Sequence, residues 1–550
     1  MQDTNSERTI SVLKIVTALV IIFLTCFTLV SRLTKNAFPA VEEWATYGHK
    51  SQIYSFTYQL RRISTNDPRF TFSGGSLAFF PVGWIDWPLS LVCSDPVVAL
   101  RLSISSFLFL AGLSVFLVAR HIGCSLKNSM FAAICWLSTV FSISSWTSMP
   151  RLLAIPLFCF LFIGASTGLK NARKAHFITI IVCILGIAIP ANPPALFAAL
   201  LGLPLGFLYG GFHHGETSEV LITKLKKHLL LYLYPLTIFG PLLFIEWKKL
   251  RDNRPEVQVE EFSFSWKLLL KNAMGRGFWW EYGSEGTTRY APFADAFDGS
   301  IVRVGMFSLV FAAFSFTVVV IARQIFSRII TKGKFVQKQT FQLQQLSLLG
   351  IFSVCFLLLS SAHSTIPGFA ALSKRFSPLQ MFREPFAKFN GIYLVLVILT
   401  FFASTEFLHV FFVKRFINIR NWIIESLFVG SSMLMCTFLL SVVTSSSFPY
   451  EKDSRGVIPL ERVREIRRLS EIIDSKPNKS KELCILFSGV EEYTISWEQA
   501  NTERILMAFT SKQSDTWIIP GVVLQAPKNQ CRSENLVIEI DESGEIELKR

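Results

Sequence analysis

The sequence predicts a mainly α fold: a polytopic transmembrane helical bundle of about eleven spans, followed by a small α/β lobe. Three observations predict it. Of 550 residues, 51% are hydrophobic and 17% charged, whereas soluble globular chains carry about 25% charged residues. Runs such as LKIVTALVIIFLTCFTLV and YLVLVILTFFASTEFLHVFFV match the roughly 20 residues that cross a hydrocarbon core about 30 Å thick. The stretch 446–550 changes character, with polar turns between short apolar runs.

Apolar spans read at 10–31, 97–119, 130–148, 151–169, 176–191, 194–212, 229–246, 301–323, 345–362, 389–413 and 422–445. The first is too long for a signal-peptide core, lacks a small-x-small cleavage site and runs straight into SRLTKN, so a retained anchor is expected. The turn IPANPP at 189–194 breaks one helix and opens another, because proline fixes φ and supplies no N–H. In the tail, PLERVREIRRLSEIIDS repeats Val463, Ile466, Leu469 and Ile473 at helical spacing. ELCILFSG and TWIIPGVVL read as strands, and LVIEIDESGEIEL as a hairpin around a Gly turn. The expected domains are 1–445, with long loops at 32–96, 247–300 and 363–388, and 446–550.

Loop charge predicts orientation. One set of loops carries Arg120 and Lys127; Lys170, Arg173 and Lys174; Lys224, Lys226 and Lys227; Arg328, Lys332, Lys334 and Lys338; and Lys414, Arg415 and Arg420. Their acidic residues are few, Glu216 and Glu219. By the positive-inside rule this set is cytoplasmic. The N-terminus is then inside, and 446–550 is extracytoplasmic in a multi-pass protein of the cell (inner) membrane. The net charge of +15 has no basic arm with interleaved aromatics behind it, so nucleic acid is not an expected partner.

The polar chemistry gathers in the outer loops. FPAVEEWATYGHKSQIYSFTYQLRR (38–62) puts Glu42, Glu43, His49, Lys50, Arg61 and Arg62 just beyond the first span. A carboxylate there can take a proton from an acceptor hydroxyl, and the neighbouring cations can hold a phosphate. The same residues also suit an ordinary solvated loop. FREPFAKF (382–389) places Arg383, Glu384 and Lys388 at the head of a late span, with Lys374 and Arg375 upstream. Four cations at one bilayer face suit a phosphate or pyrophosphate headgroup; an interfacial anchor, with Phe382, Phe386 and Phe389 in lipid, is the competing reading. FWWEYGSEGTTRYAPFADAFDG holds Trp279, Trp280 and Glu281, with Glu285, Arg289, Asp295 and Asp298. Aromatic faces beside carboxylates fit a sugar ring, and a structural cap equally.

Several classes recede. No G-x-x-x-x-G-K-[ST] is present, so no P-loop ATPase is indicated. Ionisable residues within spans are few: Lys14, Arg101, Glu246, Arg303, Glu406, His409 and Glu425. Ion-coupled carriers keep such groups near mid-membrane. No Cys/His spacing implies zinc, and His213 and His214 beside Glu216 read as loop residues. No metal ligand is assigned and no motif names a cofactor; a divalent cation stays an open requirement. Cys484 and Cys531 can pair if the lobe faces an oxidising compartment. NKS at 478–480 matches a glycosylation acceptor, a tripeptide common by chance.

Two stretches carry a family resemblance: SGGSLAFFPVGWIDWPLSLVCSDPVVALRLSISSFLFLAGLSVFLVARHIG, an interfacial segment entering the second span through a D-P pair, and FREPFAKF. With the arrangement of about 1–445, they make the chain resemble the GT-C class of integral membrane glycosyltransferases. It is similar in particular to bacterial multispan proteins of the YfhO type and to polyprenyl-phosphate-sugar-dependent arabinofuranosyl- and mannosyltransferase-like families. The resemblance implies a polyprenyl-phosphate sugar donor embedded among membrane lipids, and a glycan, lipid or protein acceptor of the cell envelope. It maps the catalytic carboxylate to Glu43 or Glu42, although that position is usually Asp and here reads VEEW. It makes Arg383 and Lys388 contacts to the lipid phosphate, with Arg61 and Arg62 beside them, and leaves Trp279, Trp280 and Glu281 to shape the sugar site. The rivals are a transporter or flippase of lipid-linked saccharide and a non-catalytic membrane assembly factor.

Overall fold

The structure, a computed structural model, describes residues 3–33, 37–39, 92–93, 96–139, 141–142, 149–168, 171–186, 193–214, 229–252, 266–275, 301–330, 337–375, 385–415, 457–459, 483–487, 522–525, 536–540 and 546–548. The chain divides into two compact units, one of 1–29 with 105–448 and one of 30–104 with 449–550.

In chain order the helices are α1 (Asp3–Leu33), α2 (Pro96–His121), α3 (Leu126–Leu137), α4 (Met149–Gly168), α5 (Ala172–Leu185), α6 (Pro193–Leu200), α7 (Gly202–His214), α8 (Leu233–Asp252), α9 (Trp266–Ala273), α10 (Ile301–Ile330), α11 (Gln337–Ser360), α12 (Ala362–Thr365), α13 (Phe369–Arg375) and α14 (Pro385–Arg415). Among the described residues, six stretches are helical, long and apolar enough to cross a membrane: Val12–Ser31, Arg101–His121, Arg151–Gly168, Pro193–Gly211, Leu343–Ser360 and Lys388–Leu408. Leu230–Phe244, which runs into α8, and Met306–Ala322, within α10, are shorter apolar stretches. The spans expected at 130–148 and 176–191 are described as the shorter helices α3 and α5. The span expected at 422–445 lies outside the described residues.

The bundle of the first unit is organised around α14. From Ile392 to Leu399 every residue is buried, as expected of a helix that is apolar all round. It packs on α11 above all, and also on α10, α3, α6 and α4. Small residues let the backbones approach, since packing rather than water exclusion drives helix association in lipid. A Cβ on Gly202 or Gly206 of α7 would run into the carbonyl oxygen of Phe158 or Phe162 on α4. One on Gly391 of α14 would strike the Phe141 ring, and one on Gly350 of α11 the Thr317 side chain of α10. By contrast α1 buries a single stripe, Ala18, Ile22, Cys26 and Leu29, and exposes Val12, Leu13, Val16, Val20 and Leu24. That is the pattern of a peripheral helix facing lipid.

The second unit contains two sheets. Strand β1 (Ala37–Pro39) pairs antiparallel with β2 (Val457–Pro459), Phe38 opposite Ile458. Strands β3 (Leu483–Phe487), β4 (Val522–Gln525), β5 (Leu536–Ile540) and β6 (Ile546–Leu548) form a sheet of order β4-β3-β5-β6. β3 lies parallel to β4 and to β5, and β6 returns antiparallel on β5 with Ile540 opposite Ile546. The hairpin read at 536–548 is thus present, and the strand read from 516 is described from Val522. The helical pattern at 460–476, and Cys531 with its proposed partnership to Cys484, lie outside the described residues.

Candidate functional site

Of the residues to which the resemblance gives a site role, Lys388 is the one among the described residues. Glu42, Glu43, Arg61, Arg62, Trp279, Trp280, Glu281 and Arg383 lie outside the described residues. Lys388 stands half-buried in the first turn of α14. Pro385 opens that helix, where its missing N–H is no loss. A lysine in a first turn opposes the helix dipole, whose positive end lies there, at a cost of about 0.3–1 kcal/mol. The ammonium and the dipole together favour an anion.

The phenylalanines of FREPFAKF differ from expectation. Phe386 and Phe389 were expected as lipid anchors, yet both are buried in the protein. Phe389 meets Phe197 and Phe356 edge-on at 6.5 and 6.2 Å between ring centroids, and Phe386 meets Phe141 at 6.5 Å. The physical reason is that lipid tails and a helical interior are equally apolar, so composition cannot tell a ring's two destinations apart.

At the same end of the bundle, where α11 stops and α14 starts, lies a buried polar cluster that the sequence reading missed. The Asn390 Nδ2 donates to the Asn272 backbone carbonyl at 2.8 Å, and the Asn272 Nδ2 meets the Ser361 hydroxyl at 2.8 Å. The Tyr393 hydroxyl donates to the Ala273 carbonyl at 2.9 Å, and the Trp136 indole N–H reaches the Gly391 carbonyl at 3.4 Å. The Asn390 and Tyr393 bonds seat α9 against α14 and satisfy carbonyls at the C-terminal end of α9. Gly275, at φ +78°, then turns the chain. Asn272 and Asn390 are 2% and 0% exposed. Among the described residues, neither amide oxygen has a hydrogen-bond partner. The one sequence signal was KNAMGRG (271–277): a polar pair and a glycine turn breaking an apolar helix.

The other end of α14 is held differently. The Glu406 Oε2 accepts from the Asn128 side-chain amide at 2.6 Å and from the Ser125 backbone N–H at 3.1 Å. Ser125 is the N-cap of α3, its hydroxyl accepting from the Asn128 N–H at 3.4 Å. A carboxylate from a distant helix therefore completes the N-terminus of α3, favoured by the dipole there. Arg120 donates to the Cys124 carbonyl at 2.5 Å, and His121 shares a 2.5 Å hydrogen bond with Ser166. Burial, helped by the Glu406 charge and opposed by Arg120, pushes the Cys124 thiol up to about 12. Among the described residues no three His, Cys, Asp or Glu gather to hold a metal ion.

Three solved structures show a weak likeness to the chain. ArnT from Cupriavidus metallidurans, in the apo state, is 12% identical with a TM-score of 0.42, covering 97% of this chain and 93% of its own. The apo oligosaccharyltransferase of Archaeoglobus fulgidus is 11% identical with a TM-score of 0.38, covering 91% of this chain and 65% of its own. The oligosaccharyltransferase AglB of Archaeoglobus fulgidus, in complex with an inhibitory peptide and a dolichol-phosphate, is 12% identical with a TM-score of 0.32 and covers 90% of this chain. This chain spans 65% and 64% of the length of those two oligosaccharyltransferases. No protein-family model matches the chain, and no curated protein does.

Proposed function

We propose that the protein is a GT-C-type membrane glycosyltransferase, moving a sugar from a polyprenyl-phosphate donor to a cell-envelope glycan, lipid or protein acceptor at the outer face of the membrane. The observation that supports this reading is Lys388, half-buried in the first turn of α14, where a cation stands at the positive end of the helix dipole. The reading adopts the orientation and the eleven spans read from the sequence, and makes 446–550 an extracytoplasmic α/β lobe.

Glu43, or Glu42 beside it, takes the proton of the acceptor hydroxyl. The freed oxygen attacks the anomeric carbon of the donor sugar, and the bond from that carbon to the phosphate oxygen breaks. The charge left on the polyprenyl phosphate falls to Arg61, Arg62, Arg383 and Lys388. Trp279, Trp280 and Glu281 shape the sugar site.

A carrier is less well served by the bundle. Buried hydroxyls along the spans donate to their own helices, Thr400 to the Leu396 carbonyl, Ser404 to Thr400, Ser353 to Leu349 and Thr317 to Ala313. Among the described residues these hydroxyls spend their protons on their own helices. The test is sugar transfer by the purified protein, with Glu42→Gln and Glu43→Gln made separately. Unchanged turnover in both variants would falsify the catalytic assignment.

A further inference from the structure

The ribbon of β1 and β2 joins opposite ends of the chain. Ala37, Phe38 and Pro39 stand opposite Pro459, Ile458 and Val457 in an antiparallel sheet of two strands. Prolines fix where its hydrogen bonds fall. In an antiparallel ladder, hydrogen-bonded pairs alternate with pairs that exchange no bond. Pro39 and Pro459 have no N–H to give, so the two outer pairs are of the second kind. Phe38 and Ile458 are then the bonded pair, each donating its N–H to the other's carbonyl.

A two-stranded ribbon is marginal by itself, and this one belongs to a larger body. Residues 30–104 and 449–550 form one compact unit, so the first long loop and the tail hold together although the bundle lies between them in sequence. The ribbon is also the described element nearest in the chain to the candidate base. Glu42 and Glu43 follow Pro39 by three and four residues. A chain advances at most about 3.6 Å per residue, which keeps their Cα atoms within about 11 and 14 Å of Pro39. Whatever fixes Pro39 limits where the carboxylates can stand.

We propose that the β1–β2 ribbon is a positioning device. Through the Phe38–Ile458 pair, the tail holds the start of the first long loop, and with it the carboxylate that takes the acceptor proton. The inference rests on the glycosyltransferase reading and adds to it a part for the tail.

The test uses the full-length protein and follows release of polyprenyl phosphate from the same lipid carrying mannose, glucose or arabinose. Ile458→Pro removes an N–H that the ladder uses, whereas Val457→Pro removes one that points away from β1. Ile458→Pro is expected to lower kcat by about tenfold or more with KM for the lipid unchanged, because small displacements of a reacting group are costly. Val457→Pro should keep the wild-type kcat, and Ile458→Val, which restores the N–H, should recover it. Wild-type kcat in Ile458→Pro, a change in its KM alone, or equal losses in both proline variants overturns the positioning role.

The register is tested apart from any reaction. Cα atoms of a bonded pair lie about 5.5 Å apart, within the reach of a disulfide. Phe38→Cys with Ile458→Cys is expected to cross-link on mild oxidation, read by mass spectrometry of the joined peptides. Ala37→Cys with Val457→Cys, two positions out of register and about 8 Å apart, is expected not to. Cross-linking of both pairs alike, or of neither, overturns the ribbon. The oxidised in-register variant should turn over like its reduced form. Turnover lost on oxidation and regained on reduction overturns the positioning role, and this comparison decides where Ile458→Pro does not fold. A wild type that releases no polyprenyl phosphate while the in-register pair still cross-links overturns the glycosyltransferase reading, and the positioning role with it.

Discussion

The two ends of α14 solve opposite problems. At one end, Glu406 spends its carboxylate on the Ser125 N–H and the Asn128 amide, and every group named there has its match. At the other, the Asn390 amide donates to the Asn272 backbone carbonyl and the Asn272 amide meets the Ser361 hydroxyl, while neither amide oxygen has a hydrogen-bond partner among the described residues. Lys388 adds a cation where the helix dipole is already positive. One end of α14 closes its hydrogen bonds and the other leaves two buried amide oxygens unmet, so one helix shows both regimes.

The largest effect that sharpens this contrast concerns the chemistry itself. Glu43→Gln, or Glu42→Gln if that residue is the base, is expected to lower turnover by about 10²–10⁴-fold. Its thermal midpoint in detergent should stay that of the wild type. Steady-state transfer assays and a melting curve on the same preparation check both halves.

Glu406→Ala should do the reverse. Removing the carboxylate strands a backbone N–H and an amide at the head of α3, at a cost of about 1–3 kcal/mol. A lower midpoint with turnover per folded molecule unchanged is the expected result. Lost turnover at full stability would break the comparison, because the closed end would then take part in the reaction. Glu406→Gln keeps an acceptor and gives up the charge, so its loss should be smaller.

Lys388→Ala comes next. If the ammonium holds the donor phosphate in both the ground state and the transition state, KM for the lipid donor rises by about tenfold while kcat moves little. Stability should hold or improve slightly, since an unfavourable charge leaves the positive end of α14.

Much of this contrast was hidden in the sequence, for definite reasons. Long apolar runs announce helices, so Val12–Ser31, Arg101–His121 and Lys388–Leu408 overlap the spans read at 10–31, 97–119 and 389–413, with ends that differ by a few residues. The 536–548 hairpin was equally legible from alternation around a Gly turn. Lys388 stood out because a charge beside an apolar run is conspicuous. Asn272 and Asn390 did not, since an isolated Asn carries no signal and their bond joins positions 118 apart in the chain. The Glu406 link to Asn128 spans 278 positions, and no local pattern foretells it. Phe386 and Phe389 show the remaining blind spot: hydropathy scores a ring alike whether lipid or a neighbouring helix covers it.

The smallest expected effect probes how closed the Glu406 end is. Cys124 is 2% exposed, with its thiol pushed up to about 12 by burial first and the Glu406 charge second. The thiolate is the reactive form, so alkylation by a thiol reagent should stay slow through pH 9, with no rise as pH passes the ordinary thiol range. In Glu406→Gln the second cause disappears and Arg120 still acts to lower the value, so the thiol pKa should fall. Burial remains the leading cause, which keeps the fall small and the residue slow to react in the native state. Fast labelling of Cys124 in Glu406→Gln, at a pH where the wild type is inert, would mean that the carboxylate holds the loop shut as well as charging it. The closed end of α14 would then depend on one residue, and the contrast with the open end would rest on Glu406 alone.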